Sequence, residues 1–446
     1  MRSILILAYL SVFALGHPQK LDRRDCSHDN CLRALIKQSA DATAFCATYT
    51  TAIETAVTGL PTYATQCSNL PSRVSSACSC INTAAPTTTT TPTSTPTGTT
   101  CTVTAYSSIS AAVASCTQII LKDISVPSGA SIDLTKLKTG SVVTFAGLTT
   151  FAYFNSSTYN PMTWGGAGVT ITATSDAIID GNGQAYWDGI GSNGGVPKPD
   201  HFIVISKMTG GSVIENLHIR NWPTHLFSIS GCSDLTLRNM FLDNSAGDAP
   251  NAFSNGLPAA HNSDGFDMSS TTNALIYNNT VYNQDDCVAI TSGNNITVDS
   301  MYCSGGHGLS IGSVGGKSNN NVTNISFQNS VVVNSQNGPR IKTNSGTTGF
   351  ISNITYANIQ VSGISIYGID VQEDYLNGGP TGIPTNGVII ENVQFKNITG
   401  TAIEGAQDYY VLCGDGSCSN IVFEDVNITG GSVPSSCNFP TSGCPN

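Results

Sequence analysis

A six-residue pattern returns along this chain: apolar, variable, Asn or Asp, apolar, variable, apolar. It reads Ile214-Glu-Asn216-Leu-His-Ile219, Leu237-Arg-Asn239-Met-Phe-Leu242, Tyr356-Ala-Asn358-Ile-Gln-Val361, Ile390-Glu-Asn392-Val-Gln-Phe395 and Phe423-Glu-Asp425-Val-Asn-Ile428. Each copy describes a short strand, a corner and a second strand. Asn and Asp tolerate the left-handed backbone that a sharp corner needs, and a side-chain amide can bond to the amide stacked above it. Irregular repeats at intervals from the low twenties to the thirties predict an all-β fold, a right-handed parallel β-helix. A sandwich or barrel would favour two-residue hairpin turns such as Asn-Gly, which are sparse here.

The pattern starts well inside the chain. Arg2, the apolar run Ile4 to Leu15 and Gly16 read as a signal peptide over residues 1–16. The pair Arg23-Arg24 would serve as a second cut, making 17–24 a propeptide. Helical spacing of apolar residues between Leu32 and Val57, with six cysteines, predicts a small helical, disulfide-stapled module over 25–82. Six cysteines allow fifteen pairings, so its connectivity is open, as is its role in wall adhesion or as a pro-region. Thr and Pro dominate 83–100, including five threonines from Thr87 to Thr91; that composition gives an extended, O-glycosylated linker. The β-helix is assigned to 101–446. No later stretch is long and apolar enough to span a membrane, and secretion to the cell exterior follows.

Secretion fits the cysteine count of 15. In the β-helix region local spacing gives four pairs, Cys101-Cys116, Cys287-Cys303, Cys413-Cys418 and Cys437-Cys444, and leaves Cys232 as a free thiol with flanks that read as buried strand. The double Cys-x-x-Cys spacing of zinc sites is missing, so neither metal nor cofactor is expected. Sequons stand at Asn155, Asn278, Asn295, Asn321, Asn324, Asn353, Asn397 and Asn427. Several coincide with the corner pattern, so they read as corners first and glycan acceptors second, with a few occupied. A net charge of -11 argues against nucleic acid as a partner.

Charged residues are only 11% of the chain, which makes four polar segments conspicuous: Asn262-Ser-Asp264, Gln284-Asp285-Asp286-Cys287, Gly306-His307-Gly308 and Arg340-Ile-Lys342. Taken singly, an Asp beside Gly is a turn residue, and a His between glycines is a loop residue. Their spacing argues otherwise. Asp264 to Asp286 is 22 residues and Asp286 to His307 is 21, one coil each, and a coil advances the chain by about 4.8 Å. All three then stack on one face. Asp285 and Asp286 cannot both enter a cleft from a regular strand, so the backbone must bend there, and a Cys287-Cys303 bond would fix the bend. Arg340 and Lys342 alternate around Ile341, which turns to the core. Two cations on one face make a receptor for carboxylates, and a polyanionic sugar is the natural ligand.

These four motifs, in this order, with Gly308-Leu-Ser-Ile-Gly-Ser-Val-Gly-Gly316 and Gln372-Glu-Asp-Tyr375, resemble the fungal endo-polygalacturonases of glycoside hydrolase family 28 over about residues 100 to 446. The chain departs from that pattern at Ser263, where Thr is usual. The resemblance implies inverting hydrolysis of α-1,4-galacturonosyl linkages in pectin by a monomeric enzyme. Asp285 would be the general acid, and Asp264 and Asp286 would position and deprotonate water. His307 would tune the acid, Arg340 and Lys342 would hold substrate carboxylates, and Tyr375, Asn262 and Gln284 would line the sugar site. The Ser-Val-Gly-Gly stretch points to endo action over exo. Two other readings stand beside it: a calcium-dependent pectate lyase, and a non-catalytic wall-binding solenoid.

Overall fold

The computed structural model describes residues 98–376 and 379–445, together with Ala42, Phe45, Cys46 and Cys78. The chain divides into two units, Met1–Pro96 and Thr97–Asn446. In the first unit the four described residues are helical, and Cys46 is disulfide-bonded to Cys78. The segments read as signal peptide and propeptide, most of the 25–82 module and nearly all of the 83–100 linker lie outside the described residues.

In the second unit the strands stack in chain order. One sheet contains β1 (Ile132–Leu134), β2 (Met162–Trp164), β3 (His201–Ser206), β4 (His225–Ser230), β5 (Phe266–Ser269), β6 (Val288–Ile290), β7 (Leu309–Val314), β8 (Pro339–Asn344), β9 (Tyr367–Leu376), β10 (Gln407–Leu412) and β11 (Ser436–Cys437). Each pairs in parallel with the next. A 19-stranded sheet covers the remaining faces. This is a parallel β-helix, with the right hand that parallel crossovers take. A helix, Ile109–Ser115, buries Ile109, Ala112 and Val113 against its first coils. Its first strand, Thr100–Val103, begins on the last residue assigned to the linker.

The corners form as the pattern requires. Asn216, Asn239, Asn358, Asn392 and Asp425 all have φ between 54° and 60°. Their amides form ladders: Asn358 Nδ2 donates to Asn329 Oδ1 at 3.0 Å, and Asn397 Nδ2 donates to Asn358 Oδ1 at 2.9 Å. Asn278, Asn295, Asn324, Asn353 and Asn397, all sequon residues, sit at such corners. All eight sequon asparagines are exposed.

Inward residues stack like on like. Phe327, Tyr356, Phe395 and Phe423 form a column with centroids 4.7, 5.3 and 5.1 Å apart and planes within 10°. The buried Tyr356 hydroxyl donates to the Arg340 carbonyl at 2.9 Å, joining this column to the strand that carries the two cations. Disulfides join Cys101 to Cys116, Cys287 to Cys303, Cys413 to Cys418 and Cys437 to Cys444; Cys232 is buried and free.

Strand β9 carries three fully buried carboxyls, Asp370, Glu373 and Asp374. Burial pushes Asp370 and Glu373 up to about 7, against the pull of Arg340 and Gln372 on Asp370 and of Ser417 and the Gly414 N–H on Glu373.

Two outcomes follow. Asn358→Ala should lower stability by about 1–3 kcal/mol, because Ala resists φ of 56°. Asn358→Gly should lower it less, as read from urea midpoints; equal losses would place the cost in the amide ladder instead. The second concerns pH. The folded pKa values of Asp370 and Glu373 lie above the ordinary 3.8 and 4.5, so the folded chain holds protons that the unfolded chain has released. Their contribution is therefore full below the ordinary values of 3.8 and 4.5 and is lost as pH rises from there through about 7. Thermal unfolding should show Tm falling over that range, less steeply in Glu373→Gln.

Candidate active site

The parallel register puts the sequence motifs on one line. Phe266 pairs with Val288, Val288 with Leu309 and Leu309 with Pro339. Asp264, Asp286 and His307 each stand two residues before a member of that ladder, so all three occupy one height on consecutive coils. Arg340 stands on β8 opposite Ser310 of β7, with Lys342 beside it and Ile341 wholly buried between them. Tyr375 follows on β9, opposite Asn344. These residues line a cleft of about 760 Å³ that also takes in His201, His225 and Asn262.

The bend at Asp285-Asp286 is held by a residue that sequence reading passed over. Asn283, buried, donates from Nδ2 to the carbonyls of Asp285 at 2.9 Å, Asp286 at 3.0 Å and Ser263 at 3.1 Å. The Asp286 N–H donates to Asp285 Oδ1 at 2.8 Å, which lets both carboxyls reach the cleft from one turn. Asn262 donates to Asp285 Oδ2 at 3.1 Å and so orients the carboxyl. Gln284 corrects the expectation that it lines the sugar site. It turns into the wall, where Oε1 accepts from Ser263 Oγ at 2.7 Å and from Asn244 at 3.1 Å, while Nε2 donates to the Asn244 carbonyl and to Asp248. The hydroxyl of Ser263 thus serves as a bracket for this turn, a task that the usual Thr could also perform.

The cations are tied as tightly as the carboxylates. His307 Nδ1 is 2.9 Å from Asp285 Oδ1. Lys342 Nζ donates to Asp286 Oδ2 at 2.6 Å, and Ser310 Oγ donates to Asp286 Oδ1 at 2.6 Å. Arg340 Nε donates to Asp370 Oδ2 at 3.1 Å, leaving its Nη1 3.8 Å from Asp286 Oδ1. Both cations stand over the Tyr375 ring, 5.6 and 5.3 Å from its centroid. Asp370 and Gln372, which donates to it at 2.8 Å, brace Arg340 from beneath. Asp370 carried no signal in the sequence: only the register of β8 on β9, Arg340 on Asp370, brings it there.

The electrostatics separate the aspartates. Burial and the neighbouring Asp285 and Asp267 raise Asp264 well above the ordinary carboxylate range. Burial also pushes Asp285 upward, but His307, Lys342 and the Asp286 N–H outweigh it and hold Asp285 below that range. Carboxyls this crowded do not all ionise, and Asp264 is the one whose surroundings favour the protonated form.

Comparison with known proteins agrees with the geometry. Residues 116–445 match the model of glycosyl hydrolases family 28. The chain is 54% identical to a probable endopolygalacturonase D of Neosartorya fischeri over 95% of its own length and 96% of that protein's. It is 48% identical to endopolygalacturonase D of Aspergillus niger, covering 100% of both. Among solved structures, endopolygalacturonase I of Stereum purpureum, complexed with two galacturonates, superposes with a TM-score of 0.63 at 33% identity over 75% of this chain and 96% of that one. With the coil-stacked aspartates, the paired cations and these likenesses together, the chain belongs to glycosyl hydrolase family 28.

Proposed function

We propose that the protein hydrolyses α-1,4-galacturonosyl linkages of polygalacturonate, the backbone of pectin, by endo attack and with inversion. The observation that carries this reading is the stack of Asp264, Asp285, Asp286 and His307 on consecutive coils, with Arg340 and Lys342 one strand further along the same cleft. Carboxyls beside cations suit an anionic sugar polymer better than a neutral one. The cleft runs from β3 to β9, about 29 Å at one strand separation per coil, which leaves room for sugars on both sides of the carboxylates.

In the proposed step Asp285 gives a proton to the glycosidic oxygen as the bond to the anomeric carbon breaks. Asp264 and Asp286 take a proton from the water that attacks the other face of the ring. In the free protein the surroundings raise Asp264 and hold Asp285 low, so a proton must reach Asp285 before the step. A substrate carboxylate beside Arg340 and Lys342 weakens the positive field that keeps Asp285 ionised, and so favours that transfer. Arg340, with Asp370 behind it, presents its remaining N–H groups to the sugar chain, and Tyr375 offers a ring face. The fungal relatives are named endopolygalacturonases, which supports endo action. We extend the reading to an extracellular, monomeric protein released by cleavage after residue 16 and matured at Arg24. Among the described residues no helix is long and apolar enough to cross a membrane.

Asp285→Asn, Asp264→Asn and Asp286→Asn should each lower kcat on polygalacturonate by about 10²–10⁴-fold with little change in KM. Mixed oligomers should appear early with the native protein. Monomer alone would mean exo action, and an unsaturated, ultraviolet-absorbing product would mean elimination. A pure binder would show no turnover to lose. Asp370→Asn should act differently, raising KM more than it lowers kcat, because it loosens Arg340 without touching the carboxylates.

A further inference from the structure

On the N-terminal side of the carboxylates two imidazoles lie one above the other. His201 on β3 and His225 on β4 are register partners, with centroids 4.8 Å apart and planes within 28°. Asp200 stands against the same edge of both rings. Its Oδ2 is 3.1 Å from His201 Nδ1, and its backbone carbonyl is 2.7 Å from His225 Nδ1. A carbonyl only accepts, so His225 Nδ1 carries a hydrogen and Nε2 is the atom left to face the cleft. There His225 Nε2 lies 3.6 Å from Asp264 Oδ1, and His201 Nε2 lies 3.5 Å from Asp267 Oδ2.

These separations are long for hydrogen bonds. They suit two ligand atoms on one tetrahedral ion: bonds of 2.0–2.1 Å place neighbouring ligands about 3.4 Å apart. Donor atoms of His225, Asp264 and Asp267 all lie within 4.8 Å of one another. Asp264 Oδ1 is buried, in a residue only 7% exposed, and among the described residues it has no hydrogen-bond partner. An imidazole whose far nitrogen is bonded to a carbonyl or carboxylate is also how proteins orient metal-binding histidines.

From this geometry we infer that His201, His225, Asp264 and Asp267 form a binding site for a divalent transition metal of the zinc class, and that occupation of it stops hydrolysis. Two imidazole nitrogens with two carboxylate oxygens select zinc, cobalt or nickel over calcium or magnesium. Two other clusters are less suited. Asp285, Asp286 and His307 have the Lys342 ammonium 2.6 Å from Asp286, and the two cysteines beside Glu373 are disulfide-bonded. The donors come from three segments between Asp200 and Asp267, which is why sequence spacing gave no sign of a metal. A metal on Asp264 removes a base from the water step; that half of the inference rests on the role proposed for Asp264, whereas the binding half does not.

The test titrates the full chain, stripped with chelator, with zinc chloride in a calorimeter. One equivalent should bind, cobalt in its place should give the intense visible bands of a four-coordinate ion, and zinc should inhibit hydrolysis over the same concentration range, reversibly with chelator. His225→Gln should bind at least about 100-fold more weakly and resist zinc. Asp200→Asn, which keeps all four ligands, should bind about 10–100-fold more weakly and keeps the test valid should His225→Gln fail to fold. Absence of a stoichiometric equivalent, or binding unchanged in both variants, would mean that the two rings are only imidazolium partners of these aspartates. Zinc binding without inhibition would overturn the claim that the ion occupies Asp264, and the separately measured rate of Asp264→Asn keeps that result apart from a failure of Asp264's assigned role.

Discussion

Everything in this protein depends on the parallel register that hydrogen-bonds each coil to the next. A strand separation of about 4.8 Å is close to the distance at which aromatic rings stack and side-chain amides bond. Once the register is set, like residues fall on like: the Phe327 to Phe423 column inside, the asparagine ladders at the corners, the aspartates and histidines in the cleft. The stacking that stabilises the solenoid is also what crowds the carboxylates. A site with perturbed acids therefore requires no distortion of the fold beyond the single turn at Asp285-Asp286.

Crowding alone would make the cleft unstable, and the structure offsets it locally. A chain with only 11% charged residues buries Asp286 against Lys342 and Ser310, Asp285 against His307 and Asn262, and Arg340 against Asp370. Removing one member of such a pair leaves the other charge buried without a partner, which is far worse than never having buried either. Pairs of this kind hold geometry more than they add stability. Asp264 is held differently: its Oδ1 lacks a hydrogen-bond partner among the described residues, and burial with the neighbouring Asp285 and Asp267 raises it well above the ordinary carboxylate range.

Much of this was legible in the sequence, for identifiable reasons. The Asn216 and Asn358 corners were readable because the left-handed backbone restricts residue choice. Asp264, Asp286 and His307 were readable because their two intervening coils have almost equal length, so register could be counted. Ile341 between Arg340 and Lys342 followed from strand alternation. Counting fails where coils lengthen. Asp370 lies 30 residues beyond Arg340, an interval that nothing in the sequence marks as one coil. His201 and His225 stand 24 apart and carry no motif of their own, and Asn283 resembles any loop asparagine. Gln284 was misplaced because adjacency to Asp285 says nothing about direction once the backbone turns.

The proposed mechanism depends on the way water reaches the sugar. Asp264 and Asp286 are assigned to activate a water on the face opposite the leaving group, with no covalent sugar on the enzyme. The direct measurement is proton NMR of the reducing ends formed in the first moments of hydrolysis, before mutarotation mixes them. The account predicts that α-linked polygalacturonate first releases β-anomers. Release of α-anomers first would mean that one of these aspartates is a nucleophile, and would contradict it.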